Sequence, residues 1–155
     1  MAKLDDTDRR ILDCLQENVV MPIADVARRV GLSSTPCWRR IQKLDEAGVI
    51  RRRVALLDSD QLNVGVTVFV SVKTTQHNAE WLAQFAAAVE EIPEVMEFYR
   101  MSGEIDYLLR VVVPDVAAYD GFYKRLIERT ALADVSSSFA MEQIKYTTAL
   151  PLDYS

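Results

Sequence analysis

Residues 23–50 read IADVARRVGLSSTPCWRRIQKLDEAGVI and decide the fold of the first third of the chain. A first apolar-periodic run ends at Gly31, which supplies the positive φ that a helix C-terminus often needs. Ser33 is a good N-cap because its hydroxyl can accept from free backbone N–H groups, and Pro36 falls in the first turn, where its missing N–H costs nothing. Gly48 then ends this second helix. The stretch predicts two short helices joined by a tight turn.

The second helix of this hairpin has an apolar stripe and an outward polar face. Cys37, Ile41 and Leu44 recur at i, i+4 and i+7 and predict the buried side. Arginine can donate two hydrogen bonds to guanine, glutamine can pair with adenine, and hydroxyls near a helix N-terminus suit phosphate oxygens. A hairpin that merely packs, with a solvated outer face, is the alternative. The side chains expected to contact DNA are Ser34, Thr35, Trp38, Arg39, Gln42, Lys43, Arg51, Arg52 and Arg53.

Charge is divided unevenly along the chain. Residues 1–53 hold 11 Lys and Arg against 8 Asp and Glu, whereas residues 54–155 hold 7 against 15. The total of −5 at pH 7 would not by itself predict a nucleic-acid binder, but the basic groups gather in the helical hairpin. Phosphate contacts supply much of the affinity for DNA, so we expect double-stranded DNA as a partner. A solvated basic helix is the plainer alternative.

The composition and the two cysteines limit the class of protein and the kinds of site to be expected. Half of the 155 residues are hydrophobic, which is typical of a globular chain of two small domains. No apolar run resembles a signal peptide or a membrane span, so we expect a cytoplasmic, nucleoid-associated protein with no membrane partner. Cys14 and Cys37 are expected to be core residues, with a redox role for Cys37 as a minor alternative. His77 is the only histidine and has no ligand-like neighbours, so we expect no metal, cofactor or catalytic residues.

The hairpin is flanked by a further helix and by an extended segment. Residues 4–17 predict a helix that covers the hairpin, capped by Asp5 or Asp6. Val49 to Leu57 suggests a strand that leaves the module, and Asp58 to Asn63 looks like a polar linker. We therefore expect a helix-turn-helix domain over residues 1–53, a linker strand over 54–63 and a second domain over 64–155.

The second half alternates strands and helices. Strands are expected at 66–73, 95–101, 107–113 and roughly 135–146, with a helix before Pro93 and another opened by Pro114 and Asp115. This order is the ferredoxin-like βαββαβ arrangement, a four-stranded antiparallel sheet with both helices on one face. Because no third layer remains in the sequence, the economical cover for the other face is a second copy of the sheet, which predicts a homodimer.

Several motifs together carry a resemblance that spans essentially the whole chain. They are LDDTDRRILDCLQEN from Leu4, VARRVGLSSTPCWRRIQKLDEAGVI from Val26, SGEIDYLLRVVV from Ser102 and IKYTTALPL from Ile144. In this combination the chain resembles the Lrp/AsnC family of bacterial and archaeal transcription regulators. The resemblance implies an α+β protein: a winged helix-turn-helix domain followed by a ferredoxin-like domain, which this family calls RAM.

The resemblance also implies a ligand and an assembly. Family members bind an amino acid or a related metabolite where dimers meet, and they assemble as dimers, tetramers, octamers or larger forms. The family motif G-x-x-D-[YF] corresponds to residues 103–107, where a glycine turn admits a small ligand and a carboxylate can meet an α-ammonium group. A hairpin loop with a structurally bonded Asp is the alternative. By resemblance, the effector-binding residues are Tyr99, Met101, Gly103, Asp106, Ser136, Ser137 and Ser138.

The sequence departs from the family pattern near the DNA-binding residues. Val19 and Val20 stand where the family often has a small polar residue and an Arg, and Arg51 to Arg53 replace a usual Gly-Tyr. The preferred DNA site is therefore not carried over from the family. The leading hypothesis is an amino-acid-responsive transcription regulator that forms a homodimer and then a tetramer or octamer. The alternative is a nucleoid-organising protein that wraps DNA with little effector response. A third hypothesis is that the ferredoxin-like half is an enzyme, but the sequence shows no pair of a base and a nucleophile.

Overall fold

The computed structural model describes residues 3–129 and 132–154, which form two compact units. The first unit comprises residues up to Leu56 together with the segment from Lys145 onward, and the second is Leu57–Ile144. No helix within these described ranges is long and apolar enough to cross a membrane.

The first unit is built on three helices. They are α1 (Asp6–Glu17), α2 (Ile23–Val30) and α3 (Ser34–Glu46). Asp5, rather than Asp6, caps α1: its carboxylate accepts from the Asp8 N–H at 2.8 Å, and the Asp8 carboxylate accepts in turn from the Asp5 N–H at 3.2 Å. This reciprocal pair satisfies two backbone donors that a helix start otherwise leaves free.

The turn between α2 and α3 confirms the predicted hairpin, with one detail different. Gly31 has φ +75°, and the next N–H, that of Leu32, donates to the Ala27 carbonyl at 2.8 Å. Ser33 occupies the N-cap position of α3 with extended backbone, but its side chain makes no capping hydrogen bond. The expectation that its hydroxyl caps the helix is therefore wrong, and the backbone carbonyl of Ser33 instead accepts from the Cys37 N–H at 3.2 Å.

The core of the first unit is aliphatic. Its buried members come from the facing sides of all three helices and include the predicted stripe of α3, as follows: Ile11, Leu12, Cys14, Val26, Ala27, Val30, Cys37, Ile41 and Leu44. Two short helices alone would bury too little apolar surface, so α1 is needed to complete this core. The outward face of α3 is thereby held in a fixed orientation on the unit.

The second unit is a four-stranded antiparallel sheet with two helices. The strands are β1 (Val66–Lys73), β2 (Val95–Arg100), β3 (Tyr107–Val113) and β4 (Asp134–Phe139), and the helices are α4 (Ala79–Glu90) and α5 (Val116–Arg129). The order across the sheet is β2-β3-β1-β4. Buried residues of β1 and β3 pack in one cluster with residues of α4 and α5, among them Phe85 and Phe122. This is the predicted ferredoxin-like arrangement.

One predicted strand is absent and another is shorter than expected. Residues 51–57 have no regular structure and are exposed, because no neighbouring strand pairs with them in the described part of the chain. β4 ends at Phe139 rather than near Tyr146. Its antiparallel partner β1 starts at Val66, and the Ala140 N–H bonds to the Thr67 carbonyl at 2.9 Å, so β1 has no further residues with which those after Ala140 could pair.

The C-terminal segment belongs to the first unit, which differs from the expected 64–155 domain boundary. Both ends of the Gln16 side-chain amide bond to the backbone of Leu150: its Nε2 donates to the carbonyl at 3.1 Å, and its Oε1 accepts from the N–H at 2.7 Å. Leu152 is partly buried against the aliphatic core of that unit. The tail is thus part of the helical unit.

Candidate functional site

The outer face of α3 exposes the side chains predicted to contact DNA. Ser34, Thr35, Trp38, Arg39 and Lys43 are exposed, and Gln42 is partly buried. At 100° per residue, Thr35, Arg39 and Gln42 lie on the side of the helix opposite the buried stripe of α3, and Ser34, Trp38 and Lys43 flank that stripe. Six of the nine predicted residues therefore lie on α3, outside its buried stripe.

Most arginines of the first unit have a partner within the unit. Arg9 pairs with Asp6 at 2.8 Å, and Arg10 donates to the Arg29 carbonyl at 2.6 Å. Arg28, Arg29, Arg40 and Arg53 are each held by a carboxylate at 2.6 to 2.8 Å. By contrast, several cations have neither an ion pair nor a side-chain hydrogen bond within residues 3–129 and 132–154, and they are Lys3, Arg39, Lys43, Arg51, Arg52 and Lys145. All of these except Lys3 and Lys145 are predicted DNA-contacting residues. Arg53 differs from its neighbours because its guanidinium is engaged by Asp45.

A surface groove next to α3 is bordered by positive charge. Lys3, Arg39 and Lys43 line it together with the start of α1. Arg40 lies at the same groove but is bonded to Asp5 and Asp8, each at 2.7 Å. These carboxylates raise the pKa of Arg40, with Asp5 contributing most. Arg40 therefore joins α3 to α1, and the groove presents its other cations to solvent.

The 101–106 loop is tied to two strands through Asp106. Gly103 has φ +130°, as the predicted glycine turn requires. The Met101 N–H donates to the Asp106 carbonyl at 2.8 Å, and the Asp106 N–H donates to the Val72 carbonyl at 3.0 Å. One carboxylate oxygen, Oδ2, accepts from the Thr74 N–H at 2.8 Å. The loop is thus fixed at the end of β1.

The second carboxylate oxygen of Asp106 is less engaged. Its Oδ1 lies 3.8 Å from His77 Nδ1, beyond hydrogen-bond distance. Thr74 and His77 were not among the predicted site residues, because β1 and the 101–106 loop are far apart in sequence. The available signal was the polar run after β1, residues 74–78, which antiparallel pairing of β1 with β3 sets beside the start of β3.

The three serines of β4 do not face one way. Successive strand residues point to opposite faces, and Ser137 lies on the helix side, where its hydroxyl hydrogen-bonds that of Tyr119 on α5. Ser136 and Ser138 point to the face without helices. Within one chain the three serines are therefore divided between the two faces of the sheet.

Tyr99 is also separated from the serines. The register aligns Tyr99 with Leu108, Ser71 and Ser136 in one row across all four strands, so Tyr99 and Ser136 occupy opposite edges. At about 4.8 Å per strand the separation is about 14 Å. The Tyr99 hydroxyl donates to Glu97 at 2.9 Å. One chain brings Met101, Gly103 and Asp106 together but not the full predicted set.

The face of the sheet without helices is partly apolar and carries one ion pair. Phe69 and Tyr99 are exposed on it, while Arg110 Nε donates to Glu97 Oε1 at 2.9 Å. The hydrogen bond from Arg110 holds the pKa of Glu97 below its usual range. A single chain therefore leaves uncovered a surface that mixes aromatic side chains with a satisfied charge pair.

Other reactive groups are enclosed or dispersed. Cys14 and Cys37 are free and buried, and burial raises the pKa of the Cys37 thiol. A neutral buried thiol is a poor nucleophile. Over the described ranges no three His, Cys, Asp or Glu residues are grouped to hold a metal ion.

Comparison with known proteins places both units in one family. Residues 67–150 match the Lrp/AsnC ligand binding domain, and residues 4–51 match a winged helix-turn-helix DNA-binding domain. The DNA-binding transcriptional activator DecR of Escherichia coli K12 is 48% identical over 151 residues, which cover 97% of this chain and 99% of that protein.

Two solved structures are also similar. An AsnC family transcriptional regulator from Agrobacterium tumefaciens is 66% identical with a TM-score of 0.95, covering 97% of this chain and 99% of that one. A transcriptional regulator from Neisseria meningitidis in complex with L-Met is 37% identical with a TM-score of 0.93, covering 98% and 99%. With both units matched in order, the chain belongs to the Lrp/AsnC family of transcription regulators.

Proposed function

We propose that this protein regulates transcription by binding double-stranded DNA through α3 and that an amino acid modulates this binding. The observation that carries the first half is the coincidence of two features on one surface. The outward face of α3 exposes groups suited to base edges, and most of the cations without internal partners lie on it or close after it in sequence. A merely solvated basic helix would not require the unpaired cations to be grouped in this way.

The roles divide by chemistry. Arg39 and Gln42 are the residues suited to read guanine and adenine edges in the major groove. Lys43, Arg51 and Arg52 are suited to phosphates, and the hydroxyls of Ser34 and Thr35 lie in the first turn of α3, where a helix N-terminus favours an anion. Arg53 contributes less because Asp45 already neutralises it.

The test is a binding titration of the full-length protein with labelled duplex DNA at several salt concentrations. Each neutralised phosphate contributes about 0.9 to the slope of log affinity against log salt, so Lys43→Ala should reduce the slope by about 1. Lys124→Ala on α5 is the matched control and should leave the slope unchanged. Absence of both a salt slope and a preferred sequence contradicts DNA binding. A slope without sequence preference or effector response favours the nucleoid-organising alternative.

The amino-acid site is proposed at the 101–106 loop. Asp106 holds the loop with Oδ2 and keeps Oδ1 available for an ammonium group. The related Neisseria regulator was solved with L-Met, which supports this ligand class without identifying the ligand here. Thermal-shift measurements against the twenty amino acids should find a ligand that raises the unfolding temperature, because it binds only the folded state.

Two substitutions separate ligand binding from loop integrity. Asp106→Asn keeps a carbonyl oxygen for the Thr74 N–H but removes the charge, so we expect it to abolish the ligand shift with little change in the apo unfolding temperature. Asp106→Ala removes the acceptor as well and should also destabilise the second unit. An Asn variant that still responds to the ligand would contradict an ammonium contact at Asp106.

We also propose that the helix-free face of the sheet pairs with a second copy and that dimers meet to form a tetramer or octamer. Support comes from the exposed Phe69 and Tyr99 on that face and from the separation of Tyr99 and Ser136, which leaves a single-chain site incomplete. Sedimentation velocity should give a dimer or larger species, and Phe69→Asp should give monomers. Val116→Asp, an exposed apolar position on α5, is the control.

We further propose a cytoplasmic, nucleoid-associated location and no catalytic role. The support is that the similar proteins are regulators of transcription. The family resemblance also fits a protein that works on chromosomal DNA. Fluorescence microscopy of a tagged chain should give a signal that overlaps the chromosome, and an evenly cytoplasmic signal would contradict nucleoid association.

A further inference from the structure

Trp38 is an aromatic side chain that the fold does not use. It is the only Phe, Trp or Tyr among the first 68 residues, and the core of the first unit is built from Ile, Leu, Val, Ala and Cys without it. Its side chain is 48% exposed on the outer face of α3. The indole is therefore available to a partner that contacts the outer face of α3.

The neighbours of Trp38 divide the outer face of α3 into two sides. Ser34 and Gln42 lie one turn before and after Trp38, about 40° away around the helix, and form one row with it. Lys43 lies about 140° from Trp38, on the side of the groove lined by cations. Trp38 is thus grouped with an amide and a hydroxyl, whereas Lys43 lies on the other side of the outer face and Arg39 lies between the two, about 100° from Trp38.

This division suggests what each side contacts. The unpaired cations favour a polyanionic partner, and the match of residues 4–51 to a DNA-binding domain selects duplex DNA. A helix placed in a major groove has phosphates on either side of it and base edges below it. The apolar group that the base edges present in the major groove is the 5-methyl of thymine. Gln42, in the same row, has the amide that pairs with adenine N6 and N7.

We propose that Trp38 and Gln42 read an A·T-containing step in the major groove, with the Trp38 indole packed against a thymine methyl. This inference rests on the DNA binding proposed above and adds the base preference and the contact that produces it. The contact gives α3 an apolar interaction with the bases in addition to its hydrogen bonds. Removal of a single methyl group from the DNA should therefore lower the affinity.

The test alters the DNA and the protein separately. A duplex is selected from a random-sequence library by the full-length protein, and its thymines are then replaced by deoxyuracil, which pairs identically but lacks the methyl. The wild type should bind the deoxyuracil duplex about fourfold more weakly for each thymine methyl that Trp38 covers. Trp38→Ala should bind the thymine duplex more weakly and no longer distinguish the two duplexes. Val116→Ala, which removes an exposed apolar side chain from α5, should discriminate as the wild type does.

Quenching of the intrinsic tryptophan fluorescence gives a second readout, in which the response to DNA reports on Trp38. The other tryptophan, Trp81, is buried in the second unit. Adding the selected duplex should therefore protect the exposed tryptophan from acrylamide quenching in the wild type, and Trp38→Phe, which leaves only Trp81, should lose this protection.

The possible results distinguish a failure of the thymine contact from a failure of the proposed DNA binding. If the wild type binds the selected duplex with a salt slope but does not discriminate thymine from deoxyuracil, the methyl contact is wrong and DNA binding stands. Equal discrimination by wild type and Trp38→Ala overturns the assignment to Trp38. If Trp38→Ala changes the sedimentation coefficient instead, Trp38 contacts another copy of the chain, which also overturns it. Failure to enrich any sequence, together with no salt slope, overturns both the inference and the function.

Discussion

The pairing of Gln16 with Leu150 predicts that the C-terminal tail stabilises the helical unit. Gln16→Ala removes both hydrogen bonds between the amide and the Leu150 backbone. A typical hydrogen bond contributes about 0.5–1.5 kcal/mol net, and both of these are exposed, so the expected loss is about 1–2 kcal/mol. The matched control is Gln84→Ala, an exposed position on α4 with the same change in helix propensity.

Hydrogen–deuterium exchange of the full-length protein is the suitable assay, because the two units are able to open separately. A loss of about 1–2 kcal/mol corresponds to about 5–30-fold faster exchange. In Gln16→Ala this acceleration should be confined to peptides from α1, α2 and α3, with β1 to β4 unchanged. Leu152→Ala should accelerate the same peptides because its side chain packs on the same core. If Gln16→Ala exchanges like Gln84→Ala, the tail does not stabilise the unit.

Three further predictions concern register, acid stability and thiol reactivity. Ser137→Ala should lower the free energy of unfolding by about 1 kcal/mol in denaturant titrations, because it removes a partly buried hydrogen bond; Ser136→Ala should not, and equal effects would contradict the register. The Asp8 backbone N–H, and then Arg40, hold the pKa of Asp5 below its usual 3.8. Stability from Asp5 is therefore present above pH 3.8 and lost as pH falls through the lower folded-state pKa, and Asp5→Asn should flatten that part of the acid titration. The raised pKa of buried Cys37 predicts that aromatic disulfide reagents label it only at the rate of unfolding; fast labelling of the native chain would refute this.

The features that the sequence predicted correctly are those that local chemistry decides. Gly31 and Gly48 have positive φ because a chain that leaves a helix with a reversal of direction needs that conformation. Asp5 caps α1 because its partner, the Asp8 N–H, is three residues away. The alternation of β1 was equally local. These rules involve neighbours within one helical turn or one strand, so the sequence order contains them directly.

What the sequence did not predict depends on distant partners. Gln16 and Leu150 are 134 residues apart, and no local pattern in either segment indicates that they meet. The end of β4 is decided by where β1 begins, not by the residues after Phe139. The placement of the serine run was missed for a different reason: three adjacent hydroxyls look like one group in sequence, but strand alternation divides them between two faces.

Net charge is the feature whose meaning changes most between sequence and structure. A small excess of positive charge in the first third suggested DNA binding, yet several of its basic residues, such as Arg29 and Arg53, are neutralised locally by Glu17 and Asp45. At physiological salt, charges more than about 8 Å apart are largely screened from each other. The electrostatic potential at a phosphate near α3 therefore depends on the nearest cations without partners, Arg39 among them. The net charge of −5 on the whole chain contributes little. An acidic protein of this kind can bind a polyanion because the carboxylates of its helical unit are paired with arginines such as Arg29 and Arg40, while Arg39 and Lys43 have no carboxylate partner in the described part of the chain.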